Sequence, residues 1–152
     1  MQYNMVFTFI LYTLSLLPGN TLYAAGDMTS QIETTVTVKL GNAKNQLRFY
    51  PNRLQFETGK LYKLVISNPS KQKHYFSATG LAAAVFTRKV EVVNNKGATV
   101  AEVKGSVREI EVYPGGTAEW WFVPVKTLSA SPLHCSIKGH VEAGMTGQIT
   151  IK

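Results

Sequence analysis

The chain has 152 residues, 45% of them hydrophobic and 16% charged, which suits one domain with a sizeable core and excludes a disordered chain. Sixteen Lys and Arg against nine Asp and Glu leave a net charge of +7. The cations are scattered, with no dense cluster and no RNA-binding motif, which argues against a nucleic-acid partner and for a diffuse surface that attracts acidic proteins or simply aids solubility.

Residues 1–24 stand apart. "MVFTFILYTLSLLP" is an apolar run and "TLYAAG" supplies small residues, the outline of a secretory signal peptide cleaved at Ala24 or Ala25. No Lys or Arg precedes the run, so a membrane anchor is the competing reading. Export to a periplasm or a thylakoid lumen is expected, with one domain over 25–152 and no stable membrane insertion once the signal is removed. All sixteen cations fall in that domain.

The rest of the chain is rich in β-branched and aromatic residues and divided by turn signals. "TTVTVKL" (34–40) places Val36, Val38 and Leu40 on one face of a strand. "QLRFYP" does the same with Leu47 and Phe49. Leu54 and Phe56 continue the pattern to a turn at Thr58-Gly59, and a run through Ile66 halts at Asn68-Pro69. "GLAAAVFTRK" (80–89) predicts a short helix of one or two turns. "RKVEVVNNKGATVAEV" reads as a hairpin with its tip at residues 94–97. "SVREIEVYPGGTAEWWFVPV" supplies two strands around Pro114-Gly115-Gly116, with one of Trp120 and Trp121 buried and the other more exposed. "GQITI" is a last strand. Seven or eight short strands imply an all-β sandwich.

The chemistry gathers near the C-terminus. Cys135 is the only cysteine, so it forms no internal disulfide. Cys135, His140 and Met145 follow a C-x4-H-x4-M spacing in a glycine-punctuated loop flanked by strands that hold Leu133 and Ile149. A lone cysteine is commonly a small buried hydrophobe, and methionine commonly fills core gaps. A nucleophilic cysteine needs a base and an orienting partner, and no acid beyond Glu142 is evident here. Thiolate, imidazole and thioether on one loop instead suit copper, and two His, one Cys and a weak axial Met form the blue-copper electron-transfer site. That site needs a second histidine. His134 is a poor candidate, because neighbours on a strand point to opposite faces; a structural role or a place on an electron exit route remains for it. His74, in "NPSKQKHYF" after the Asn68-Pro69 stop, can serve if its loop lies at the same end of the sandwich.

"FYPNRLQFETGKLYKLVISNPSKQKHYF" and "LHCSIKGHVEAGMTGQITI" resemble the cupredoxins, the small blue-copper proteins such as plastocyanin and azurin. The resemblance covers about residues 47–76 and 116–152. It implies a Greek-key β-sandwich and one type 1 copper ion held by His74, Cys135, His140 and, axially, Met145. The His74-to-Cys135 stretch is longer than in plastocyanin, with an added helix and hairpin in 78–110. Tyr75 stands where plastocyanins often carry Asn, and the Cys135–His140 spacing is closer to azurin's. The function implied is outer-sphere transfer of single electrons by a monomer that is not an enzyme, to or from a redox protein with an acidic docking surface. His140 would be the electron port, in an apolar patch of Val141, Ala143 and Gly144. The alternative is a periplasmic copper chaperone or storage protein. A binuclear copper site needs two cysteines and is excluded, and a catalytic copper would need Met145 displaced.

Overall fold

The computed structural model describes residues 30–152. The expected signal peptide and its cleavage point therefore lie outside the described residues, as does Met28. Among the described residues no helix is long and apolar enough to cross a membrane.

Two β-sheets pack face to face. The first contains β1 (Thr34–Leu40), β2 (Phe49–Tyr50), β4 (Tyr62–Ser67), β6 (Val85–Val93), β7 (Thr99–Val103) and β9 (Thr117–Pro124), in the order β2-β1-β4-β9-β6-β7. The second contains β3 (Arg53–Phe56), β5 (His74–Ser77), β8 (Glu109–Val112), β10 (Leu128–His134) and β11 (Thr146–Ile151), in the order β3-β11-β10-β5-β8. Pairings β1–β4 and β3–β11 are parallel and the others antiparallel. Among the described residues eleven strands replace the expected seven or eight: the chain changes sheet at Pro51–Asn52 between β2 and β3, and β5 forms where a loop is expected, while the turn at residues 113–116 separates β8 and β9 as expected.

Alternation decides what is buried. Val38 and Leu40 of β1, Tyr62, Leu64 and Ile66 of β4, and Ala118, Trp120 and Phe122 of β9 point inward. Trp120 is buried and Trp121 half-buried on the outer face, as the one-residue step between them requires. Trp121 is flanked there by the Lys63 and Lys89 ammonium groups, each 5.2 Å from the ring. Phe49, Phe76, Trp120, Phe122, Phe56 and Tyr62 form a chain of rings crossing between the sheets, successive centroids 4.9–6.5 Å apart and mostly edge to face. Each fully buried Phe or Leu contributes about 2 kcal/mol by leaving water.

The expected helix is shorter than its 80–89 window. The helix, α1 (Thr79–Ala84), buries Leu81, Ala82 and Ala84. Val85 to Lys89 instead form the start of β6, where their β-branched and aromatic side chains pair with β9. The hairpin with its tip at Asn94–Gly97 is present as β6–β7, with Asn94 Oδ1 accepting from the amides of Lys96 and Ala98. β10 contains Pro132, which an interior strand normally excludes. It is tolerated because β10 pairs with β5 only at His134.

Candidate metal centre

At one end of the sandwich, two strands and one loop converge. His74 is the first residue of β5 and is fully buried, not a residue of an exposed loop. Its backbone pairs with Val112 of β8. Cys135 follows the last residue of β10, and the chain then turns through 136–145 before entering β11. That loop is closed on itself. The Cys135 amide donates to Met145 O at 3.2 Å, the Met145 amide to His140 O at 2.8 Å, and the His140 amide to Ile137 O at 3.0 Å. Backbone hydrogen bonds thus tie Cys135 to Met145 and Met145 to His140 within one loop.

The side chains meet as follows. Cys135 Sγ lies 3.3 Å from His140 Nδ1 and 4.0 Å from His74 Nδ1. The donor atoms of His74, Cys135 and His140 all fall within 4.8 Å of one another. The two imidazole rings stand 5.2 Å apart at 56°. Met145 is fully buried and bonded through its backbone to both Cys135 and His140. His134, by contrast, is half-buried and takes no part in the cluster, as its place one residue before Cys135 predicts.

These dimensions fit a small metal ion. Bonds of about 2.0 Å to nitrogen and 2.3 Å to sulfur put the sulfur and nitrogen donors of a trigonal ion about 3.8 Å apart, and the two sulfur–nitrogen separations here bracket that value. Burial, and then the charge of His140, push the His74 pKa down to about 4, so the imidazole is neutral and able to ligate at pH 7. Two imidazoles, one thiolate and one thioether form a donor set suited to copper.

Several supporting residues carry no signal in the sequence. The Tyr75 amide donates to Cys135 Sγ at 3.3 Å. Tyr75 thus ties the two segments through its backbone amide, whatever its side chain. Asn68, expected only as a strand stop, is 1% exposed. Its Nδ2 donates to Gln72 O at 2.8 Å and Val112 O at 2.7 Å, and its Oδ1 accepts from the Ser70 amide at 3.0 Å. It therefore holds the 68–73 turn that aims His74. Glu109 of β8 accepts from Ser77 at 2.9 Å and also from Ser136, linking the residue after Cys135 to β5. Asx-type signals near Asn68-Pro69 mark a turn, but nothing local reveals a partner 44 positions away.

No protein-family model and no curated protein matches the sequence. Solved structures do. A multi-copper oxidase from Pediococcus acidilactici aligns over 91% of this chain and 29% of its own, with a TM-score of 0.59 and 18% identity. A multicopper oxidase from Campylobacter jejuni aligns over 91% and 33%, with a TM-score of 0.56 and 16% identity. The auracyanin of Roseiflexus castenholzii aligns over 80% and 99%, at a TM-score of 0.49 and 16% identity. This chain spans about a third of each oxidase, and at such identities the likeness is one of fold. Taken with the His–Cys–His cluster and the adjacent Met145, the two-sheet sandwich defines a cupredoxin-like protein.

Proposed function

We propose that this chain is an exported type 1 copper protein that carries single electrons between redox partners. The observation that carries the reading is the position of Cys135 Sγ, buried between the Nδ1 atoms of His74 and His140. His74, Cys135 and His140 would hold the ion most strongly, and Met145 would be the weaker thioether donor. Copper held by these residues supplies one-electron exchange between its cuprous and cupric states.

The chain's own contribution is rigidity and access. His74 is fixed by a strand before any metal arrives, and the other three residues by a self-bonded loop, so little rearrangement accompanies a change of charge. His74, Cys135 and Met145 have no exposed surface, whereas His140 is 8% exposed. His140 is therefore the edge through which an electron enters or leaves, and no bond is made or broken in the process. Val141, Ala143 and Gly144 beside it are exposed, forming an apolar landing surface for a partner. The +7 charge steers a partner with an acidic docking surface.

Adding Cu(II) to the purified protein tests this. An intense visible thiolate-to-copper band and a narrow copper hyperfine pattern are expected, and Cys135→Ser should abolish the band. A fully loaded, oxidised wild-type sample that stays colourless would overturn the reading and favour copper storage.

A further inference from the structure

The His74 nitrogen that faces Cys135 is Nδ1. The opposite nitrogen, Nε2, is buried with no hydrogen-bond partner among the described residues. The far side of the ring is therefore located by packing alone. What packs there is the backbone of Gly41, the residue after β1. A Cβ built on Gly41 would lie 3.2 Å from His74 Nε2, 3.2 Å from Gln46 O and 3.1 Å from Ser70 Cβ, each closer than ordinary van der Waals contact.

Two of those three neighbours are fixed. Gln46 O is a backbone oxygen in a turn held by the Gly41 amide to Arg48 O at 2.8 Å and the Arg48 amide to Gln46 O at 3.0 Å. Ser70 is held to Asn68 Oδ1 by its amide at 3.0 Å and its hydroxyl at 2.7 Å. The His74 ring is the neighbour that can turn. We propose that Gly41 is a positioning residue for the metal centre: the absence of a side chain there lets the end of β1 seat the imidazole, and this sets where Nδ1 stands relative to Cys135 Sγ. The proposal rests on His74 being a metal ligand.

Gly41 has φ 73°, so any substitution also strains the backbone. Gly59 supplies the control, since its φ is 77° and a Cβ there would meet nothing within 4 Å. Gly41→Ala and Gly59→Ala should both lower the thermal midpoint. Only Gly41→Ala should shift the His74 ring resonances in NMR spectra of the metal-free protein. After loading with Cu(II), only Gly41→Ala should change the copper hyperfine splitting and the midpoint potential. Wild-type His74 resonances and a wild-type potential in Gly41→Ala, with a stability loss matching Gly59→Ala, would overturn the proposal. If Gly41→Ala does not fold, the metal-free wild type decides. A nuclear Overhauser contact between the Gly41 Hα protons and the His74 ring is expected, and its absence rejects the seat. A wild type that binds Cu(II) without a thiolate band refutes the copper reading separately, and the metal-free measurements still decide the role of Gly41.

Discussion

The amide of Tyr75 and the sulfur of Cys135 lie 60 positions apart in the chain and 3.3 Å apart in the fold. This hydrogen bond joins the strand that begins with His74 to the loop that carries the other donors. In a copper-loaded protein it would withdraw electron density from the sulfur and so disfavour the cupric state.

Tyr75→Pro removes that donor while keeping the extended backbone that β5 already has, including the conformation demanded of His74 before a proline. The midpoint potential of the copper-loaded protein should fall. Tyr75→Phe keeps the amide and should leave the potential near the wild-type value. Equal potentials in the proline variant and the wild type would show that the contact does not tune the sulfur.

Met145→Gln should retain copper, because the three stronger donors remain. An amide oxygen is a harder ligand than a thioether and favours the cupric state, so the potential should drop and the colour change. Voltammetry and visible spectra of the loaded variant check this. Loss of copper would mean that Met145 holds the loop together more than it tunes the metal.

Asn68→Ala should cost about 2 kcal/mol, because it strips the Asn68 partner from the buried Val112 carbonyl and the buried Ser70 amide, while Gln72 O keeps the Ser70 hydroxyl. Urea unfolding of the metal-free protein measures it. A loss below about 1 kcal/mol would mean that water replaces the amide.

Metal-free stability should also depend on pH through His74. Its folded pKa of about 4 lies below its ordinary 6.5, so the unfolded chain binds more protons between those values. Stability is full above pH 6.5 and falls as pH drops towards 4, by about 3 kcal/mol in total. Urea midpoints at pH 7, 5.5 and 4 should show that fall in the wild type. His74→Gln should remove this component of the slope.

If the basic surface steers an acidic partner, as proposed, electron exchange with it should slow as salt rises. Between ~10 mM and ~0.2 M ionic strength the Debye length shrinks several-fold, and the bimolecular rate should drop at least several-fold with it. A rate indifferent to salt would assign the net charge to solubility alone.

Much of this was legible residue by residue. Val38, Leu40, Leu54 and Phe56 announced their strands by alternation, and the β6–β7 hairpin announced its tip. Cys135, His140 and Met145 declared a soft-metal loop by spacing alone. β5 was hidden because four residues, His74 to Ser77, are too few to show a period after a polar, proline-containing turn. The early end of α1 was hidden because alanines favour helix locally, while pairing with β9 decides the state of Val85 to Lys89.

The sequence by itself determined the donor types, the order of three of them along one loop, and the inward and outward faces of the strands. These are local properties, written in residue chemistry, turn residues and a period of two. Only the tertiary structure decided that His74 meets Cys135 from 61 positions away, that Asn68 reaches Val112, and that Gly41 backs the imidazole. Such meetings depend on which strands become neighbours in two packed sheets. Strand order is settled by the packing of the whole core, and no short window of residues encodes it.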